Sequence, residues 1–129
     1  MSEPNFHAFL SAQPGVQSLV GLRIYTDKLG GGGAVPGVVT QRVGGLRQQR
    51  YCGADGLVLG SFQFDVYAKT RAACNEVAEA IRAVMQDFSG TMGATPVKHC
   101  HLTSDFDSVD PEPGLLRKTQ LWDVWYAEA

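Results

Sequence analysis

The seven residues Ser61-Phe62-Gln63-Phe64-Asp65-Val66-Tyr67 alternate strictly, with Phe62, Phe64 and Val66 on one side and Gln63, Asp65 and Tyr67 on the other. Successive side chains of a strand point to opposite faces, so this segment belongs to a sheet with one face on a core and one toward water or a partner. Immediately afterwards, Thr70 is placed to cap a helix through its hydroxyl. Behind it Ala73, Val77, Ala80, Ile81, Val84 and Phe88 recur at three- and four-residue steps and draw one apolar stripe of about five turns. Arg71, Asn75, Glu79, Arg82 and Gln86 face away, and Gly90 ends the pattern. A strand with one apolar face followed by a helix with one apolar stripe buries both by laying the helix across the sheet.

The rest of the chain fits around that pair. Asn5 to Ala12 places Phe6, Phe9 and Leu10 at helical spacing before Pro14-Gly15, a second short turn covers Val16 to Val20, and Leu22 to Tyr25 is briefly extended. Val38 to Val43 reads as a strand that Gly44-Gly45 interrupts. Val97 to Phe106 and Arg117 to Ala127 alternate as two more strands, the last with aromatics on both faces (Trp122 and Tyr126 against Trp125). A strand apolar on both sides is central or lies at an interface. The expected fold is therefore α+β: a single mostly antiparallel sheet of about four strands, one long helix packed across one face, and a short N-terminal helix. Two glycine-rich segments, about 28–37 and 44–58, are expected to be mobile loops. The run Gly30 to Gly33 leads into Val38-Val39 and not into a Gly-Lys-Ser/Thr helix start, so it does not carry the phosphate-loop pattern.

A length of 129 residues suits one domain spanning 1–129. No run approaches the ~18 apolar residues of a membrane span. The start Met1-Ser2-Glu3-Pro4 has an acid and no basic region, so no secretory signal is expected. Eleven basic and 13 acidic residues leave a net charge of −2, which argues against a dedicated nucleic-acid binder. Cys52, Cys74 and Cys100 are odd in number and scattered, which suits a reducing compartment, with Cys74 and Cys100 as small buried hydrophobes.

The residues offer little chemistry. His99 and His101 project from one face of a strand and are a two-ligand start for zinc or another transition metal, with His7 or Asp65 as conceivable third ligands, or simply two histidines on an exposed face. Cys100 points the other way, which weakens a Cys-His nucleophile. The acids of Asp105-Phe106-Asp107 and Asp110-Pro111-Glu112 lack the calcium-loop spacing, and no Gly-x-Ser-x-Gly is present. Neither an enzyme nor a cofactor is expected. What stands out is charge layout: Arg42, Arg47 and Arg50 gather in one region, and Asp105, Asp107, Asp110 and Glu112 in another. These are either solvated segments or the two halves of a subunit contact, which closes into a ring when the rotation allows. The other functional alternative is a small α+β ligand- or metal-binding domain using the His99/His101 strand.

The order of segments resembles a known family. Leu19-Val20-Gly21-Leu22-Arg23-Ile24-Tyr25, then Val38-Val39-Thr40-Gln41-Arg42, then Phe62 to Thr70 running into the helix, then Leu121-Trp122-Asp123-Val124-Trp125-Tyr126 at the end, are similar to the phage tail-completion proteins, relatives of the tail terminator of lambda-like phages. The resemblance covers nearly the whole chain through soft motifs, of which Asp65-Val66-Tyr67-Ala68 is the most telling. It implies a structural α+β virion protein of phage or prophage origin: monomeric in solution, forming a six-membered ring on the head-proximal end of the tail tube, touching the tube protein and the head connector. The resemblance implies a place in the virion tail, after assembly in the bacterial cytoplasm. It transfers no catalytic residue and no cofactor, and the Gly30–Gly33 run departs from the pattern.

Overall fold

The computed structural model describes residues 4–21, 23–26, 36–50, 53–92, 95–109 and 115–127, with residues 26, 44–50 and 53–57 described by their backbone alone. Two short helices come first. In α1 (Phe6–Ser11) the Asn5 Oδ1 accepts the Ala8 amide at 3.0 Å, which satisfies one of the orphan donors of a helix start. Pro14 sits in the first turn of α2 (Pro14–Val20), where its missing N–H has no helical partner to lose. Gly21 ends α2 at φ +59°, a conformation that disfavours a side chain.

The remaining elements are β1 (Ile24–Thr26), β2 (Gly37–Arg50), β3 (Gly53–Ala68), α3 (Arg71–Met85), β4 (Gly90–Met92), β5 (Thr95–Val109) and β6 (Leu116–Ala127). The strands form one six-stranded sheet in the order β1-β2-β3-β6-β5-β4. β1 pairs with β2 in parallel and every other pairing is antiparallel. Thr70 caps α3 as its sequence requires, with Oγ1 accepting the Ala73 amide at 3.1 Å. Beyond α3 the chain is fastened to β5 by the Asp87 amide donating to the Cys100 carbonyl at 2.9 Å.

The core lies between one face of the sheet and the helices. Phe62, Phe64 and Val66 of β3 and Trp122, Val124 and Tyr126 of β6 meet Leu10, Val16, Val20, Val77, Ile81 and Met85 from the helices in one continuous cluster. Phe6 docks edge-on against Phe62 and Phe64 at 4.8 and 5.0 Å, the arrangement favoured by ring quadrupoles. Gln120 is buried but satisfied: it donates from Nε2 to the Ala78 carbonyl of α3 at 3.0 Å and accepts the Trp122 Nε1–H at 3.3 Å.

The structure corrects the expected fold in several places. There are six strands among the described residues, not about four, because three-residue strands β1 and β4 flank the sheet and set one parallel pair into it. Such strands are too short to show a period in sequence. The N-terminal region holds two helices. α3 stops at Met85, and its buried line is Cys74, Val77, Ala78, Ile81 and Met85; Ala80, Val84 and Phe88 flank it. Residues 44–50 and 53–58, expected as a mobile loop, continue β2 and β3 as one paired hairpin. The Gly44-Gly45 break surfaces as a register shift between Arg42 and Gly44, so the glycines bend the ladder without ending it. The loop near 28–37 falls mostly outside the described residues, Gly30–Gly33 included.

Gly60 tests the fit of this core. A Cβ there would stand 2.6 Å from Phe62 Cε2 and 3.0 Å from Tyr126 Cε1, both rings held by their neighbours. Gly60→Ala is expected to destabilise the fold by about 1–3 kcal/mol through overpacking, read from the urea midpoint. A midpoint unchanged from that of the parent chain would show that the rings yield freely.

Candidate functional site

The sheet order decides how the two charged segments sit. β2 and β5 are separated by β3 and β6, so Arg42, Arg47 and Arg50 on one side and Asp105 and Asp107 on the other occupy opposite flanks of the molecule. Arg42 is exposed. Arg47 and Arg50 belong to the strand, with backbones alone described, and Asp110 and Glu112 lie outside the described residues. Among the described residues, the strand order thus keeps the segment of Arg42, Arg47 and Arg50 apart from that of Asp105 and Asp107.

The acidic side is less free than its sequence implies. Lys118 Nζ lies 3.2 Å from Asp107 Oδ1 and 3.9 Å from Asp105 Oδ2, while Arg71 Nη1 reaches Asp107 Oδ1 at 3.1 Å. Arg71 also donates to the Arg117 carbonyl at 3.0 Å and to the Ser108 carbonyl at 3.1 Å. The first residue of α3 is therefore a strap across the β5–β6 hairpin, although the helical period assigns it to the solvent side. Its five donors in a fixed fork suit that job. The only hint in sequence is its place directly after the cap, and no pattern in the sequence singles out its partners.

The face of the sheet away from the helices is mixed in character. Asp65, 4% exposed, accepts the Thr119 hydroxyl at 2.7 Å and the Gln63 amide at 3.2 and 2.9 Å, so it is held by the sheet's own side chains. His99 and His101 share a face as expected, their rings stacked 6.5 Å apart. His99 Nε2 lies 3.5 Å from Asp87 Oδ1, and His101 stands opposite Asp123 in the β5–β6 register. His7 is on α1, distant in the chain from both. Among the described residues no three His, Cys, Asp or Glu side chains converge on a metal-sized gap. An open cleft of about 290 Å³ between the start of α1 and β2 is lined by Asn5, His7, Gln41 and Arg42 among others.

Cys74 and Cys100 are free thiols, buried as their sequence setting implies. Burial pushes the Cys100 thiol up from 9.0 to about 12. Burial also raises Cys74, against the opposing pull of Arg71. Both are the reverse of an activated nucleophile.

These features define an α+β protein whose described residues form one sheet with the helices gathered on one of its faces. Residues 5–127 match the family model described as Tail completion protein gp17, and the chain belongs to that family. It is accordingly a structural protein of a phage-type tail, from a family without enzymatic activity. Among solved structures, the chain resembles one in the virion of a native gene transfer agent particle, at a TM-score of 0.70 and 15% identity, over 92% of this chain and 88% of that one. At that identity the likeness is one of fold. No curated protein sequence matches.

The raised thiols give a pH prediction with a definite sign. In the unfolded chain Cys100 ionises near 9.0, whereas in the fold it stays protonated up to about 12. Its contribution to stability is complete below pH 9.0 and is lost as the pH rises toward about 12. Urea midpoints across that range should fall for the parent chain and fall less for Cys100→Ala. In a Cys52→Ser background, native protein near neutral pH should resist alkylation at both remaining thiols; rapid labelling of either would contradict their burial.

Proposed function

We propose that this chain completes a tail by forming a ring of six copies on the head-proximal end of the tail tube, where it ends tube growth and presents a surface to the head connector. The observation that carries this reading is the family match across residues 5–127. The one-sided architecture supports it, because a sheet with its helices on one face and its opposite charges on opposite flanks suits a repeated head-to-tail contact better than a two-fold one. In this reading the subunit contact brings Arg42, Arg47 and Arg50 of one copy toward Asp105, Asp107, Asp110 and Glu112 of the next. Assembly takes place in the bacterial cytoplasm, with no nucleic acid or membrane as partner.

Arg71 and Lys118 already hold Asp107 within its own chain. Exposed pairs contribute only about 0.2–1 kcal/mol each, so these charges orient the contact and cannot by themselves hold dilute monomers together. The expected state in dilute solution is a monomer, with rings at high concentration or on a tube end. Low salt should favour rings and molar salt should hinder them, since the Debye length shrinks to ~3 Å at 1 M.

The test is complementation. Tails made without this chain should fail to join heads, and purified protein should restore joined particles visible by electron microscopy. Arg47→Glu/Arg50→Glu should lower that restoration while leaving the fold intact. Normal particles from a strain lacking the chain would reject the tail-capping role, and full activity of the double variant would reject the charge contact alone.

A further inference from the structure

Among the described residues, the outermost strands β1 and β4 cover only short parts of the two long strands beside them. β2 is 14 residues long, yet β1 pairs only with Val38, Val39 and Thr40. β5 is 15 residues long, yet β4 pairs only with Thr95, Pro96 and Val97. Just past β4, Asp87 and Gln86 serve the Cys100 carbonyl and the Leu102 amide. Beyond these points neither the β2 segment from Gln41 nor the β5 segment from Thr103 to Val109 has a strand on its outer side among the described residues. A strand edge that meets no further strand is a template for one.

The exposed apolar side chains fall on the same two segments. The large hydrophobics left in solvent among the described residues are Val43 at 51%, Phe106 at 51% and Val109 at 71%. Val43 lies on the open part of β2, and Phe106 and Val109 on the open part of β5. Natural edges are commonly blunted by charge, proline or brevity. Both of these edges are long, and each keeps apolar side chains in solvent between its charged residues.

We propose that copies of this chain join by strand addition, the open edge of β2 in one copy receiving the open edge of β5 from the next, so that the sheet runs on across the contact. This rests on the ring reading above and names the bond that builds the ring. Three features select a second copy as the occupant. The two edges lie on opposite flanks of one sheet, so every chain carries both halves of the joint. Three antiparallel steps separate β2 from β5, so they run in opposite directions, and a neighbour in the same orientation offers β5 antiparallel to β2. The β2 segment carries Arg42, Arg47 and Arg50 while the β5 segment carries Asp105 and Asp107; joining like edges would set like charges opposite each other. The open stretches lie toward opposite ends of the sheet, so adjacent copies are staggered, as in any closed sheet whose strands tilt against the axis.

The experiment uses the full chain with two variants, Val43→Lys and Phe106→Lys/Val109→Lys, whose exposed positions leave the melting temperature unchanged. The intact chain should assemble, and amides of residues 41–43 and 103–109 should then exchange about 100-fold more slowly than in the monomer. Each variant alone should stay monomeric, and an equal mixture should stop at complexes of two chains, because each retains one good edge. Assembly with both edges exchanging as fast as in the monomer overturns strand addition and leaves the tail-cap reading standing. Either variant assembling like the intact chain overturns it equally. An intact chain that stays monomeric at millimolar concentration in low salt, and on tube ends, overturns the joint together with the ring. Should a variant fail to fold, the exchange of the intact chain decides alone.

Discussion

Everything in this fold depends on the apolar contact between the inner face of β3 and β6 and the helices laid across it. Trp122 sits at its centre, fully buried, with Phe64 beside it and its indole N–H satisfied by Gln120, which in turn donates to the backbone of α3. A buried indole of this size contributes several kcal/mol by area alone, and truncating such a residue typically costs about 3–5 kcal/mol. The Gln120 bridge adds direction to that contact. It fixes where along β6 the helix rests, because a slipped register would leave a buried amide and an indole without partners.

One-sided packing has a direct consequence for function. With α1, α2 and α3 all contributing to one cluster on the inner face, no described helix lies across the opposite face of the sheet. The chemistry on that face is already committed within the chain: Asp65 is held by Thr119 and Gln63, and His99 lies beside Asp87. The thiols are buried and held protonated. A structural protein of a tail needs surfaces more than reactive groups, and this distribution of polar contacts is in keeping with that.

The parts legible in sequence are those governed by local periodicity. Phe62, Phe64 and Val66 declared the inner face of β3, Thr70 declared the start of α3, and Phe6, Phe9 and Leu10 declared the buried side of α1. The long hairpin of β2 and β3 was not legible, because Gly44, Gly45, Gly53 and Gly56 read as a loop when only local propensity is weighed. Pairing across the hairpin supplies hydrogen bonds that no local preference encodes. Arg71 was misread for a similar reason: the helical period places it outward, whereas a long side chain bends back to carbonyls 37 and 46 residues further on.

The sequence alone therefore determined the α+β class, the one-sided sheet, the capped helix and, through the order of soft motifs, the family. Those follow from interactions between residues close in the chain, or from a pattern that survives without coordinates. The tertiary structure alone decided that β2 and β5 are covered over only a few residues by β1 and β4 among the described residues, that Val43, Phe106 and Val109 are exposed on those two strands, and that Asp107 is shared with Arg71 and Lys118. Strand order is a matter of which distant segments meet, and a strand's own alternation is the same whether it lies at the centre of a sheet or at its edge.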